Sequence, residues 1–410
     1  MKGSQGIPAL QLIVLNKLIS AFVRPPSNFF SNLFPTAQYD SDTIEWEIEY
    51  GSGGMTPFVA PGSVAPAIGI DGLGGASAKA AFWKEKMYFD EEFLNNLREP
   101  GTMATYNKAE RQLSRGAQKL RYRCDRRREW MTAKMLIDGT LTYQIAGGLK
   151  FSVSYGIPTS HLITLEDARN WKDGASRNAV EDIFDAKQTL ADDAMVKPNY
   201  AICNSQMLKV LLFDTNIQAL LKKSDFGNGD LFTNPAMVIG TLLGVGTLML
   251  YDELYEVQAW LTTTTASGTT IYLDDVSDFE VGGKARFVNM VEYNTYEDEV
   301  ITAVDKVNGT ITVGQAPTAT FVGGRDKVIM RKKFIQDNEF LMFADTQNGT
   351  KIAEFMEAPY GNSRRWGFYA DTKDEWDPEG IWLRVQDKGL PVLYYPDTTY
   401  KITAFDLDEY

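Results

Sequence analysis

The stretch RYRCDRRREW, from Arg121 to Trp130, puts five arginines into ten residues of a chain whose formal net charge is −13. Around it, the window Lys108 to Lys134 holds ten basic residues and three acids, Glu110, Asp125 and Glu129. That window is +7, and the remainder of the chain is −20 (−13 − 7). Such a run suits a phosphate site, a membrane surface, or a structural helix with acidic neighbours. Leu113, Ala117, Leu120 and Cys124 recur at helical spacing, and Met131, Met135 and Leu136 follow. The spacing predicts a helix from Asn107, an N-cap with Glu110 at the third position, to about Asp138, stopped by Gly139. About 30 residues at roughly 1.5 Å each make a rod of roughly 45 Å, long for a globular domain. Successive helix residues point about 100° apart, so Arg121, Arg123, Arg126, Arg127 and Arg128 cannot all enter one nucleic-acid groove. They read as charges around a rod, with Cys124 on its buried side. The expected acidic partners are segments such as EWEIEY and FDEEF, in the same or a neighbouring subunit. Exposed pairs of that kind contribute at most about 1 kcal/mol each, but they set register and choice of neighbour. The alternative is a nucleic-acid-binding protein using the basic helix over 108–134.

The remaining composition is that of a folded protein. The chain has 410 residues, 44% apolar and 23% charged, enough for two or three domains with a large core. Its acidic balance excludes a general nucleic-acid binder, since phosphate affinity comes from Lys and Arg. Cys124 and Cys203 make neither a disulfide framework nor a zinc pattern and read as free structural thiols. The longest apolar run, Ala9 to Val23, is broken by Asn16 and Lys17 and is shorter than the roughly 20 residues a spanning helix needs. RPPSNFF follows it, with no small-residue cleavage site, so the run reads as an arm whose apolar side rests on a partner.

Along the chain, Ile44, Trp46 and Ile48 alternate with glutamates as a strand does. Then GSGGMTPFVAPGSVAPAIGIDGLGG combines glycines and three prolines with Met55, Phe58, Val59, Ile68 and Ile70. It is too broken for a helix and too apolar for a solvated linker, so it reads as a long loop lying on something else. Glu91 to Glu99 reads as a short helix. LTYQI and KFSVSY read as strands joined across Gly147-Gly148. From Ser176 to Tyr251 helices alternate with the strands NYAICN and LMLY. Thr262 to Arg331 has no helical period, only short strands and turns, including a type I′ signal at Asn308-Gly309. It reads as a small β domain inserted into the α/β part. The tail returns to strands, with turns at Asn348-Gly349 and at Gly389-Leu390-Pro391.

No catalytic, metal or cofactor constellation emerges. The one histidine, His161, reads as a surface or interface residue, and no G-x-S-x-G elbow accompanies it. Asp274, Asp275 and Asp278 lack an EF-hand loop and read as a solvated turn. GIDGLGG lacks the following Lys-Ser/Thr of a phosphate loop. What remains is an arm, an apolar loop, a long basic helix and a β insertion, which are parts for touching neighbours.

In that order those parts resemble the major capsid proteins of tailed bacteriophages, specifically the lambda-type capsid protein E family. NKLISAFVRPPSNFFSNLFPT resembles the family's arm, ending in Phe34-Pro35. SDTIEWEIEYGSGGMTPFVAPG resembles the strand entering its extended loop, and FWKEKMYFDEEFL the loop's returning edge. KLRYRCDRRREWMTAKMLIDGTLTY resembles the spine helix and its exit, and the tail from FLMFADTQNGTK to LPVLYYPDTTY the closing strands. The resemblance omits Leu261 to Lys333. It implies an α+β protein with the Hong Kong phage capsid fold: N-terminal arm and first strand over 1–50, extended loop over 51–104, peripheral domain with spine helix over 105–155, axial α/β domain over 156–260, inserted all-β domain over 261–334, and return strands over 335–410. It further implies a non-enzymatic virion protein, assembled in the bacterial host cytoplasm from hexamers and pentamers around DNA held non-specifically. The absence of a helical scaffold segment ahead of the arm leads to the expectation of a separate scaffolding protein or none at all, beside portal and decoration proteins. No cofactor is implied, and no membrane. Residues expected at subunit interfaces are Phe29, Phe30, Phe34, Met55, Phe58, Val59, Ile68, Ile70, Arg121, Arg126, Arg127 and Arg128.

Overall fold

Met103–Asp138 is one helix of 36 residues. The structure, a computed structural model, describes residues 10–23, 25, 27–49, 58–59, 64, 74–98, 103–144, 150–223, 233–265, 268–292, 294–347, 349–361 and 363–407, with backbone alone at 96–98, 103–109, 143–144 and 150. The helix thus starts before Asn107, which lies inside it instead of capping it. Met103 and Ala104 are strong helix formers, and an interior Asn costs less than about 0.7 kcal/mol. The far end is where Gly139 predicts. Gly139 takes a left-handed φ of 63°, and its carbonyl accepts the N–H of Tyr155 at 2.9 Å. Leu113, Ala117, Leu120, Cys124, Met131, Met135 and Leu136 are all buried.

The N-terminal half of this helix lies on a five-stranded sheet. Its central strand is Glu379–Leu393. Along one edge that strand pairs first with Tyr369–Trp376 and then with Ala353–Glu357, which in turn pairs with Thr36–Gln38. Along the other edge it pairs with Ala81–Asp90. Leu120 and Cys124 of the helix share a core with Phe89, Phe93, Ile381, Leu383 and Val385. The turn expected at Gly389-Leu390-Pro391 is not there; the strand runs through it. Pro391 lies beyond the last rung to Ala81–Asp90, at Gly389↔Ala81, and its carbonyl accepts the Tyr155 hydroxyl at 3.0 Å. Its missing N–H therefore breaks no ladder bond.

The arm is also placed differently from expectation. Leu10, Leu15 and Ile19, in and just before the helix Leu12–Ala21, pack on this chain's own sheet and long helix. Asn16, which interrupts the apolar run, meets the edge strand: its side chain donates to the Ala370 carbonyl at 3.0 Å and accepts from the Ala370 N–H at 2.9 Å. Beyond the arm, Thr43–Ile48 alternates exposed and buried and pairs with Gly74–Lys79 as a two-stranded ribbon.

A second five-stranded sheet has the order Leu162–Thr164, Thr399–Thr403, Glu339–Phe343, Tyr200–Cys203, Thr247–Leu250. Its middle strand reads EFLMF and is buried throughout, because its two faces serve two cores. Phe340 and Met342 meet the helices Ala179–Asp193, Ser205–Leu212, Thr215–Leu221 and Pro235–Leu243. Leu341 and Phe343 meet the C-terminal end of the long helix, through Met131 and Met135. Asn204 caps its helix, accepting the Met207 N–H at 2.9 Å. Thr140–Gln144 and Lys150–Ser154 pair as a hairpin whose turn lies outside the described residues.

Six antiparallel strands form a third unit, in the order Leu254–Trp260, Lys327–Lys333, Lys284–Val288, Tyr296–Asp305, Thr310–Val313, Thr270–Tyr272. A bridge from Leu261 to Leu273 joins the two edges, so the sheet curls toward a barrel around its own core, with Phe279, Phe287 and Phe321 inside. Its first strand begins at Leu254, seven residues before the boundary expected at 261. The turn near Asn308 is a four-residue one, Lys306 to Gly309, instead of type I′; the Asp305 carboxylate accepts the N–H groups of Val307 and Asn308.

Candidate functional site

The long helix carries its arginines inward and outward. Arg128 is 2% exposed. Its Nε and Nη2 donate to both carboxylate oxygens of Asp387 at 2.6 and 2.8 Å, and Nη2 also donates to Glu357 at 2.6 Å. The guanidinium lies over the rings of Phe355 and Phe368, 4.7 and 4.0 Å from their centres. Burial works against its charge, but the Asp387 and Glu357 carboxylates outweigh it and hold its pKa above the ordinary arginine value. Two turns earlier, Arg121 pairs with Asp125 at 3.0 Å, both buried, and lies 3.1 Å from the Phe368 ring centre.

The other arginines face outward but still find partners in this chain. Arg123 meets Glu85 at 2.5 Å. Arg126 donates to the Leu254 carbonyl and pairs with Glu253 at 3.5 Å, which ties the helix to the root of the barrel-like sheet. Arg127 is exposed, over Trp130 at 5.1 Å. The acids that answer the helix are therefore Glu85, Asp125, Glu253, Glu357 and Asp387. Of the two segments expected to do so, EWEIEY turns its Glu49 to the Tyr395 hydroxyl, and FDEEF turns its Asp90 to the Phe93 N–H.

Glu129 is a further functional side chain of this helix, noted in the sequence only as one of three acids. It is fully buried and accepts the N–H groups of Phe30 and Ser31, at 2.9 and 2.7 Å, and the Tyr251 hydroxyl at 2.7 Å. Burial pushes its carboxyl up, partly offset by these donors. It pins the end of the arm to the helix. Phe30 and Phe34, expected at a subunit interface, follow it into this subunit's own core, with the half-buried Phe29 packed against that core. Phe58 and Val59 are exposed; Met55, Ile68 and Ile70 lie outside the described residues. The arm presents a different apolar face, with Leu12, Ile13 and Val14 exposed, Ile13 by 81%.

His161 is buried, not on the surface. Its Nδ1 meets the Thr399 carbonyl at 3.0 Å and its Nε2 meets Asp193 at 2.9 Å, so both ring nitrogens have acceptors. Asp274 accepts the N–H of Trp260, at the end of the strand Leu254–Trp260, at 2.7 Å, and Asp275 accepts the N–H of Ser277 in its own turn at 2.8 Å. Among the described residues there is no cluster of three or more His, Cys, Asp or Glu that holds a metal, and no helix long and apolar enough to cross a membrane.

The architecture has relatives among solved structures. A protein from a prophage of E. coli CFT073, described as its candidate capsid protein, superposes with a TM-score of 0.53 at 12% identity, over 95% of this chain and 97% of that one. A phage-related protein from Bordetella bronchiseptica RB50 gives 0.49 at 10% identity, over 96% of each. At such identity the first comparison shows the fold alone, the α+β Hong Kong phage capsid fold. No curated protein matches the chain. The family model for phage major capsid protein E matches residues 14–289 and 319–404, leaving out only 290–318 inside the matched span. With so much of its length covered, from the arm through the long helix to the closing strands, the chain belongs to the phage major capsid protein E family.

Proposed function

We propose that this chain builds the icosahedral head shell of a tailed phage around its double-stranded DNA, with each copy resting its arm and its 51–73 loop on neighbouring copies. The observation that carries the reading is where the apolar surface lies. In a member of a capsid family, Leu12, Ile13 and Val14 on the arm and Phe58, Val59 and Val64 in the loop are among the large apolar side chains that the subunit leaves exposed. Exposed apolar side chains on an arm and a loop are suited to contact sites. Many such contacts, each weak, add up across a closed shell.

In this reading the sheet centred on Glu379–Leu393 and the long helix form the peripheral domain, the sheet centred on Glu339–Phe343 the axial domain, and the barrel-like sheet a decoration or brace at their junction. Pentamers and hexamers are the natural rings, assembled in the host cytoplasm with a separate scaffolding protein, a portal and a decoration protein. The acidic balance of the chain limits adhesion to packaged DNA. The internal pairing of Arg121, Arg123, Arg126 and Arg128 supports a structural helix over a nucleic-acid site. Light scattering on size-separated protein tests the proposal. Rings or closed particles are expected, and Phe58→Glu is expected to shift them to single subunits. Single subunits for the parent chain at high concentration contradict it.

A further inference from the structure

We infer that the tip of the hairpin Tyr369–Trp376/Glu379–Leu393 seats in a basic groove on the long helix of the next copy, with Trp376 as its anchor. This rests on the shell-forming reading. The hairpin turns at Asp377-Pro378, with Trp376 paired to Glu379. Trp376 is 89% exposed, and Asp377, Pro378 and Glu379 are exposed beside it. Buried tryptophans dominate interface energetics, so a tryptophan left this bare at a turn is costly unless something covers it. The tip is also stiff. Eight consecutive pairs hold its strands, and the Tyr88 hydroxyl sits 3.0 Å from the carbonyls of both Pro378 and Glu379. Little ordering entropy remains to be lost on docking. Its charge is one-sided: Asp374, Glu375, Asp377 and Glu379 against Lys373.

The complementary surface is a groove of about 390 Å³ lined by Arg115, Gln118, Lys119, Tyr122, Arg123 and Arg126. Arg123 and Arg126 share their charge with Glu85 and Glu253. Arg115 and Lys119, one turn apart and exposed, have no carboxylate partner among the described residues. Lys327, from the barrel-like sheet, feels the unneutralised charge. Burial first, then repulsion from Arg123 and Lys119, lowers its pKa. The tip cannot bend back into its own groove, because Glu379–Leu393 is held to Ala81–Asp90 as far as Gly380↔Asp90, while Glu85, at the groove, pairs with Val385. Five strand residues separate the two levels, roughly 17 Å. The contact is therefore between copies and head-to-tail, the kind that closes into rings. A groove of this size accepts the side chains of a turn. A DNA duplex needs about 1,000 Å² or more of protein surface, and the outer arginines of this helix are half neutralised already.

The test has two arms on the whole chain. Asp377→Lys with Glu379→Lys, and separately Arg115→Glu with Lys119→Glu, are each expected to raise the concentration needed for assembly by at least roughly tenfold, since like charges then face each other. All four changes together are expected to restore assembly. Singly altered groups that assemble like the parent, or a combined variant no better than its parts, overturn the inference. A photo-crosslinking residue at position 376 of the chain is expected to join residues 115–126 of another copy; links elsewhere overturn it, even if the charge variants misfold. Salt-sensitive binding of duplex DNA that Lys119→Glu removes, with assembly unchanged, also overturns it. If the parent chain forms no assembly and no crosslink, the shell-forming reading fails as well. Shells without the crosslink sink only the docking.

Discussion

Arg128 and Asp387 stand 259 residues apart in the chain, yet the guanidinium meets both carboxylate oxygens of the aspartate in the core, at 2.6 and 2.8 Å. The pair ties the middle of the long helix to the central strand of its sheet. Removing one partner leaves an uncompensated buried charge. Arg128→Ala or Asp387→Ala is expected to destabilise the subunit by about 3–5 kcal/mol. Replacing both with Met and Leu is expected to cost less than the sum, because only Glu357 is then left without its arginine. Urea unfolding of the unassembled subunit measures this; additive losses would show that the pair is not coupled.

The barrel-like sheet carries an acid-sensitive fastening. Asp326 is buried and accepts from Val322 and Met290 N–H groups at 2.7 and 3.0 Å and from Arg325 at 2.8 Å. The Arg325 hydrogen bond, against the opposing effect of burial and helped by the two backbone donors, brings its carboxyl down to about 2 from 3.8. A depressed carboxyl binds fewer protons folded than unfolded, so its contribution is present above 3.8 and lost as pH falls through about 2. Asp326→Asn is expected to cost about 1–3 kcal/mol at neutral pH, and the gap to the parent is expected to close on acidification between those two values. A gap that stays constant down to pH 2 rules this out.

Gly116 lets the helix approach its sheet. A Cβ there meets the Met87 sulfur at 3.0 Å and the Phe89 ring at 3.1 Å. Alanine gains roughly 1 kcal/mol of helix propensity, which that crowding offsets. Leucine has nowhere to go, and Gly116→Leu is expected to lose about 1–3 kcal/mol by overpacking. Thermal melting of the two variants checks the sign of each; a leucine variant as stable as the parent would show that the interface yields.

On the arm, inner and outer faces separate folding from assembly. Leu15 is fully buried and Ile13 is 81% exposed. Leu15→Ala is expected to cost about 2–5 kcal/mol of subunit stability. Ile13→Glu is expected to leave the melting temperature nearly unchanged while raising the concentration at which the chain assembles. An Ile13→Glu variant that assembles normally would remove the arm from the interface.

Much of this was readable along the chain because it is local. The long helix, expected from Asn107 and found from Met103, its stop at Gly139 and the alternation at Ile44, Trp46 and Ile48 each follow from a few neighbouring residues. Arg128 reads as an outward charge, although it falls on the same stripe as Leu120, Cys124 and Met131. Its charge conceals its burial, since a buried arginine needs acids that spacing cannot supply. Asp387 and Glu357 come from the far end of the chain, and no local pattern links them to the helix. Likewise Pro391 reads as a turn until the short reach of Ala81–Asp90 frees its strand edge. The arm's phenylalanines read as an interface until Glu129 is seen holding the backbone beside them.

Negative-stain electron microscopy of the purified chain is the decisive observation. Closed shells or five- and six-membered rings are the expected result, with Phe58→Glu and Ile13→Glu reducing both to dispersed subunits. A field of isolated subunits at every concentration, in a chain that melts cooperatively and is therefore folded, would contradict the shell-forming function.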